Sequence, residues 1–121
     1  MNKTQREALQ ALADKTSEGG VKHDNGKPPL SLIPRAALML EAQVLAFGAD
    51  KYGKFNFTKG FQQSRLLDAA MRHITAYAWG EDNATESGLS HLGHARACLA
   101  MLIQNIEDGV STDDRYKKET K

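Results

Sequence analysis

The chain has little cysteine and little proline, and each scarcity excludes a class of protein. One cysteine among 121 residues cannot form an internal disulfide. The sequence is therefore typical of a reduced compartment, and we expect a cytoplasmic protein. The three prolines all fall within 28–34, which leaves the rest of the chain free to form helices.

Excess charge and long apolar runs are also missing. The formal net charge of +1 gives no overall attraction to nucleic acid or to a membrane surface, so neither partner is expected. No apolar run approaches the ~20 residues that a membrane span requires, and the polar N-terminus does not resemble a signal peptide. A hydrophobic content of 40% and a charged content of 26% are typical of a soluble domain with a modest core.

Helical periodicity predicts an all-α protein, a small bundle of three to four helices with two long ordered loops. Its central feature is a hairpin at 64–105, in which two helices are joined by the acidic loop 80–88. The apolar segment 36–49 predicts a third helix, and 2–15 a short helix or docking arm. The predicted organisation is an N-terminal arm at 1–19, a binding domain at 20–108 and a charged flexible tail at 109–121.

Each helix of the hairpin has an apolar arc that we expect to form the core. In the first helix this arc contains Leu67, Ala70, Met71, Ile74, Tyr77 and Ala78, with His73 at its border. In the second it contains Leu92, Ala95, Leu99, Leu102, Ile103 and Ile106. The flank beside this second arc carries His91, His94, Cys98 and Asn105. A half-buried flank of this kind is where side chains point into a cleft.

The histidines and carboxylates of the hairpin are the candidate chemistry. His91 and His94 are three residues apart on a helix, a spacing that lets both face one metal ion. Carboxylates favour Mg²⁺ or Mn²⁺ held together with a nucleotide phosphate, and Asp68, Glu81 and Glu86 are available. Imidazoles that hydrogen-bond the ligand directly are the alternative, and the spacing leaves both hypotheses open. Direct contact by protonated histidines predicts affinity that rises as pH falls.

Glu41 is the only ionisable side chain in the apolar segment 36–49. A lone buried carboxylate is costly unless it meets a partner or a metal. Glu41 is therefore predicted to be functional or salt-bridged, and the alternative is that it faces solvent at a narrow polar edge.

Two loops allow both a binding and a structural interpretation. The loop 20–34 carries Lys22, Asp24 and Lys27, which either contact phosphate or belong to a solvated turn. The stretch 48–61 interleaves glycines with aromatic residues and lysines. It either stacks a base and holds phosphates or is a packed loop whose aromatics complete the core.

The sequence does not support several other common kinds of catalytic or nucleotide-binding site. Cys98 lies mid-helix among apolar residues, and no serine is surrounded by a glycine elbow. Neither a phosphate-binding Walker loop nor a dinucleotide-binding glycine fingerprint is present.

Five phrases in order carry a family resemblance: GVKHDNGKPPLSLIP, VLAFGADKYG, NFTKGF, SRLLDAAMRHITAYAWGED and ESGLSHLGHA. Over about 20–105 the chain resembles a phage-encoded family, the dATP/dGTP diphosphohydrolase N-terminal domain. That family is similar to the MazG-type all-α nucleoside triphosphate pyrophosphohydrolases. The resemblance implies Mg²⁺ held by acidic side chains, pyrophosphate release, dimers or tetramers, and expression in the cytoplasm of a host cell.

The chain departs from the MazG-type pattern of a Glu-x-x-Glu pair on one helix and a Glu-x-x-Asp pair on another. Glu41 has Leu38 and Val44 three residues to either side, and Asp68 has Arg65 and Met71. Two functional hypotheses therefore stand. One is a purine deoxynucleoside triphosphate pyrophosphohydrolase that uses Mg²⁺ or Mn²⁺. The other is a non-catalytic sponge without a metal that sequesters a nucleotide-derived immune signal of the host.

Residue roles follow from the first hypothesis. Glu41 and Asp68 are the predicted catalytic residues, and Glu41, Asp68, Glu81 and Glu86 the predicted metal ligands. The predicted ligand-binding residues are Lys22, Asp24, Lys27, Lys51, Tyr52, Asn56, Arg65, Arg72, His73, His91 and His94. Because three helices cannot enclose every face of the segment 36–49, we also expect a homo-oligomer built around it.

Overall fold

The computed structural model describes residues 1–16 and 19–119, without the side chains of 13–16. It divides the chain into two compact units, Met1–Pro34 and Arg35–Lys121. The loop 20–34 therefore groups with the N-terminal helix. Among the described helices none is long and apolar enough to cross a membrane.

The N-terminal unit is built on helix α1, Lys3–Thr16. Asn2 and Gln5 start it by bonding reciprocally: each backbone N–H donates to the other's side-chain oxygen at 2.8 Å. This arrangement satisfies two of the donors that a helix start leaves without partners. After the loop, a short 3₁₀ turn at Leu30–Leu32 leads to the second unit.

The second unit contains three helices: α2 at Arg35–Tyr52, α3 at Gln63–Ala78 and α4 at His91–Glu107. A 3₁₀ turn at Asn56–Lys59 connects α2 to α3. With α1 this makes four helices and no strand in the part of the chain that the structure describes. The predicted all-α bundle is confirmed, although α2 runs three residues past the predicted end and takes in Tyr52.

Helix α4 lies against both other helices of its unit, and small residues allow the close approach. Gly93 contacts α2 so closely that a Cβ there would lie 3.0 Å from the carbonyl oxygen of Leu40. Ala95 and Ala97 are also buried. The backbones of α2 and α4 therefore approach each other directly at Gly93.

The buried faces of the hairpin differ from the predicted ones. On α4 the core side is the predicted flank, since His91, Cys98 and Asn105 are buried. The large side chains expected to be buried are partly exposed: Leu92, Leu99, Ile103 and Ile106 on α4, and Met71, Ile74 and Tyr77 on α3. The prediction holds for Ala70, Ala95 and Leu102, which are buried. It is wrong for the large side chains, because α4 turns its histidine flank towards the rings of Phe47 and His73 on the neighbouring helices.

The segment after α4 contacts the start of α3, which its charged composition did not predict. The backbone of Thr112 pairs with residues 61 and 63, and the Asp114 carboxylate accepts the backbone N–H of Ser64 at 2.9 Å. Gly60 makes this approach possible, because a Cβ there would meet the Val110 carbonyl oxygen. Hydrogen bonds from Ser64 lower the pKa of Asp114, a favourable charge at a helix N-terminus.

Candidate functional site

Three histidines meet between α3 and α4. His73 comes from α3, His91 is the first residue of α4, and His94 lies one turn further on. The Nδ1 atoms of His73 and His91 are 2.8 Å apart. The rings of His73 and His94 stack with centroids 4.4 Å apart and an interplanar angle of 10°. The predicted convergence of these histidines is confirmed.

The loop between the two helices supplies a carboxylate to this cluster. Glu81 Oε1 lies 2.8 Å from Nε2 of His91. The loop is held in place by its own backbone, since Ala84 N–H donates to Leu89 O at 2.8 Å and His91 N–H to Asp82 O at 2.9 Å. Ser90 then caps α4 by accepting the N–H of Leu92. The carboxylate is thereby fixed against a ring that is only 5% exposed.

Ser87 is a second contribution of the loop. Its Oγ lies 2.7 Å from Nε2 of His94 and accepts the Leu89 N–H at 3.1 Å. Phe47 from α2 approaches the other side of the His94 ring edge-on, with centroids 6.4 Å apart. His94 is therefore oriented by a hydroxyl, a benzene ring and the stacked imidazole of His73.

The cluster favours neutral imidazoles. Burial, followed by the charges of His94, His91 and Arg72, lowers the pKa of His73 to about 4. Burial and the neighbouring His91 also lower the pKa of His94, which the carboxylate of Glu86 opposes only in part. Near pH 7 both rings are uncharged and can accept protons. This disfavours the predicted contact with phosphate through protonated histidines.

Two cationic side chains, Lys51 and Arg72, lie near the neutral histidine rings. Lys51, in the last turn of α2, forms an ion pair with Glu86 of the loop. That hydrogen bond, together with one to Tyr52, raises the pKa of Lys51. Arg72 is near enough to His73 and Cys98 for its charge to act on the pKa of both. The end of α2 therefore joins the hairpin in one site.

The remaining predicted residues of this unit lie elsewhere on it. Glu41 faces Arg96, with Oε1 and Nε 3.5 Å apart, so the salt-bridged interpretation of Glu41 is confirmed. Asp68 lies in a shallow open depression on α3 that Arg72 also lines. Arg65 stands over the ring of Phe61 at 5.9 Å. Asn56 begins the 3₁₀ turn after α2 and is half-buried.

The aromatic loop after α2 is only partly packed. Tyr52 and Phe55 are 62% and 71% exposed, whereas Phe57 and Phe61 are half-buried. The packed-loop interpretation therefore fits Phe57 and Phe61 but not Tyr52 and Phe55. Phe55 also has a φ of 60°, a left-handed conformation that is uncommon for an aromatic residue.

Lys22, Asp24 and Lys27 belong to the N-terminal unit. All three are exposed, and Asp24 and Lys27 close a turn in which the Lys27 N–H donates to the Asp24 carbonyl at 3.1 Å. This geometry matches the solvated-turn interpretation. A phosphate contact by these residues stays a prediction.

Comparison with known proteins identifies the family. Residues 17–115 match the model of a family described as dATP/dGTP diphosphohydrolase, N-terminal. The chain belongs to this family. A relative from Salmonella phage PMBT28, named dATP/dGTP diphosphohydrolase, is 40% identical over 96 residues, which are 79% of this chain and 33% of the relative. The chain thus spans about a third of that relative's length. No solved structure matches it.

The four carboxylates predicted to hold a metal are not gathered in this family member. Glu41 pairs with Arg96, Glu81 with His91 and Glu86 with Lys51. Within residues 1–16 and 19–119, side chains of 13–16 aside, no three His, Cys, Asp or Glu side chains are placed to share a metal ion. The carboxylates of one chain therefore do not fit a resident Mg²⁺ or Mn²⁺ ion, because Glu41, Glu81 and Glu86 each contact a different nitrogen base and Asp68 lies apart in its depression on α3.

Two contacting residues, Ser87 and Arg96, were missed from the sequence, and the surroundings of Asn105 were not predicted. Ser87 gave no helical signal, but it stands three residues before the N-cap Ser90, where a loop folds back onto its helix. Arg96 forms the ion pair with Glu41, and the sequence did not identify it as that partner. Asn105 is fully buried, and its side-chain amide has no hydrogen-bond partner among the described residues. No sequence pattern predicts that arrangement.

Proposed function

We propose that this chain binds a purine deoxynucleoside triphosphate and hydrolyses it between the α- and β-phosphates, releasing pyrophosphate. The family and the name of the phage relative support the reaction class. The observation that carries the proposal is the cluster of His73, His91 and His94 with Lys51 and Arg72 beside it. Such a site offers cations for phosphate oxygens and neutral bases for a water molecule.

Lys51 and Arg72 are the proposed phosphate-binding residues. Lys51 is paired with Glu86, and a triphosphate carries more negative charge than that one carboxylate. The ammonium can therefore exchange its partner when the nucleotide enters. Arg72 gives planar, bidentate recognition of phosphate oxygens. Tyr52, 62% exposed and beside Lys51, is available to stack on the purine.

Mg²⁺ is proposed to arrive with the triphosphate, as part of the substrate. The metal neutralises phosphate charge during phosphoryl-transfer reactions, and in nucleotide sites it keeps much of its hydration. The described side chains do not converge on a metal. The proposed roles of the protein are therefore to bind the phosphates and to transfer the proton. No protein step depends on a resident ion.

The sponge hypothesis is not supported by the comparisons, and recovery of the ligand separates it from the enzyme. The protein is incubated with dATP or dGTP and Mg²⁺, then heat-denatured, and the nucleotide is analysed. We expect the monophosphate and pyrophosphate. Recovery of intact triphosphate in amounts equal to the protein would support a sponge and contradict hydrolysis.

The site itself is tested by Lys51→Gln, which removes the charge and shortens the side chain by one atom. We expect the KM for dGTP to rise roughly tenfold, as for a lost charge-assisted hydrogen bond. Lys118→Gln, an exposed lysine near the C-terminus, is the matched control and should leave KM unchanged. Equal effects of the two substitutions would place phosphate binding elsewhere.

A further inference from the structure

The contacts of the histidine cluster determine where its protons lie. A carboxylate only accepts hydrogen bonds, so Glu81 requires a proton on Nε2 of His91, 2.8 Å away. In the neutral form of His91, Nδ1 is bare. That atom lies 2.8 Å from Nδ1 of His73, which must be the donor between them. His73, neutral in turn, carries a lone pair on Nε2.

This lone pair is available for chemistry. Nε2 of His73 forms no hydrogen bond with the described residues, and it is not among the buried unpaired atoms of that part of the chain. The His73 ring stacks on that of His94 with centroids 4.4 Å apart, and this contact restrains rotation of the His73 side chain. The bare nitrogen is therefore held in one direction.

We propose that Nε2 of His73 is the general base that takes a proton from the attacking water. This inference rests on the proposed function. The water oxygen forms a bond to the α-phosphorus as the bond from that phosphorus to the bridging oxygen breaks, and pyrophosphate leaves with the bonding electrons. The water proton goes to His73, and the products are the nucleoside monophosphate and pyrophosphate.

The neighbouring groups explain how a weakly basic ring can serve. When Nε2 of His73 gains a proton, the Nδ1 proton can pass along the existing hydrogen bond to His91. The positive charge then rests on His91, beside the carboxylate of Glu81. The charge moves away from Arg72 and towards an anion, so the transfer is electrostatically downhill. His91 and Glu81 are positioning residues in this scheme.

The proton positions can be read without any substrate. Two-bond ¹H–¹⁵N correlation spectra distinguish an imidazole protonated on Nδ1 from one protonated on Nε2. At pH 8 we expect His73 as the Nδ1–H form and His91 as the Nε2–H form. On acidification the added proton should appear on Nε2 of His73. His73 protonated on Nε2 at pH 8 would overturn the inference.

The charged and titratable groups facing His73 are Arg72 on its own helix and His91 and His94 on α4. The rings of His91 and His94 must be followed in the same titration. Glu81→Gln removes the requirement for a donor on His91 Nε2, so the His73 spectrum should become a mixture of both forms. An unchanged His73 spectrum in this variant would contradict the coupling.

Kinetics then test the role of the base. Asn at position 73 places an amide nitrogen near the position of Nδ1 but nothing near Nε2. We expect His73→Asn to lower kcat for dGTP roughly 100-fold or more with little change in KM. Glu81→Gln should lower kcat less, and Glu107→Gln, an exposed glutamate at the end of α4, should not change it.

Failure of this inference and of the proposed function can be told apart. Full turnover in His73→Asn would overturn the assignment of the base while leaving the pyrophosphohydrolase in place. No turnover by the unsubstituted protein would overturn the proposed function and the catalytic role of His73 with it. A KM effect without a kcat effect would make His73 a ligand-binding residue and would also overturn the inference.

Discussion

Nε of Arg96 lies 3.5 Å from Oε1 of Glu41, and this ion pair joins α4 to α2. The Glu41 side chain is 18% exposed and that of Arg96 39%. Nε of Arg96 is itself buried and forms no hydrogen bond of good geometry with the described residues. Glu41 is therefore the main group that balances the positive charge of Arg96, which water reaches only in part.

Glu41→Gln should lower the free energy of unfolding by about 1 kcal/mol, because Arg96 is left without its anion but is partly hydrated. Denaturant titration measures this change. Glu7→Gln is the matched control, since Glu7 pairs with Lys3 at side-chain exposures of 65% and 91%. Equal effects would contradict the structural role of Glu41, and loss of activity without loss of stability would support its predicted catalytic role.

Thermal stability should fall as pH drops from 7 to 5. The pKa of His73 is lowered from 6.5 to about 4, so the unfolded chain binds more protons than the folded chain between these values. Stability is then present above about pH 6.5 and lost progressively below it. The pKa of His94 is also lowered, so His94 changes the stability in the same direction.

His73→Asn should reduce the pH dependence of the melting temperature, whereas His23→Asn, at an exposed histidine of the N-terminal unit, should not. The pKa of Glu86 is lowered by its bond to Lys51, so its stabilising effect is lost only in more acidic solution. A melting temperature that rose between pH 7 and 5 would contradict the predicted direction.

The approach of α4 to α2 predicts opposite effects for two glycine substitutions. Gly93→Ala places a methyl group 3.0 Å from the carbonyl oxygen of Leu40, and a backbone atom cannot easily move away. We expect a loss of about 1–3 kcal/mol in the free energy of unfolding. Gly48→Ala, within α2 and with open space around its Cβ position, should gain about 0.5–1 kcal/mol. Stabilisation by both would mean that the helices lie further apart.

The exposed apolar residues of α2 support the predicted oligomer. Leu38 and Met39 are each 48% exposed, and Val44 is the only buried residue of that helix. Sedimentation at micromolar concentration should therefore give a mass above that of the 13.3 kDa chain. Met39→Glu should shift the protein towards monomer, and Val21→Glu, 86% exposed in the N-terminal unit, should not. A monomer in the unsubstituted protein would contradict this prediction.

Metal binding without nucleotide should be weak. Since Glu41, Glu81 and Glu86 each pair with a different basic side chain, Mn²⁺ alone should bind no more tightly than about millimolar, as at weak surface carboxylate sites. Calorimetry with Mn²⁺ alone measures this. Chelation should still stop turnover, because it removes the metal from the triphosphate. Micromolar Mn²⁺ affinity in the absence of nucleotide would show that carboxylates gather in a way that one chain does not.

Much of the site could be predicted from the sequence, because its histidines lie on two helices joined by a short loop. A hairpin brings the end of its first helix near the start of its second, so the meeting of His73 with His91 and His94 follows from the order of elements. The hydrogen-bond and ion-pair partner of each side chain could not be predicted in the same way. Periodicity could not show that Glu81 contacts His91 or that Lys51 arrives from α2, since both depend on how the loop and α2 fold back.

The buried faces could not be predicted for a different reason. Helix α4 is apolar around most of its circumference, so its large and small apolar residues define two arcs of similar hydrophobicity. The sequence favoured the arc with Leu99 and Ile103, while the structure buries an arc that includes His91 and Cys98, and the two arcs share Ala95 and Leu102. Close backbone approach at Gly93 decides between them, and that is a property of the helix pair rather than of one helix.

Trp79, the only tryptophan of the chain, ends α3 and is 87% exposed. It stands two residues before Glu81, at the start of the loop that orients His91. The protein thus carries its single tryptophan beside its candidate site. Its emission offers a label-free signal for nucleotide arrival, and one that every variant discussed above retains.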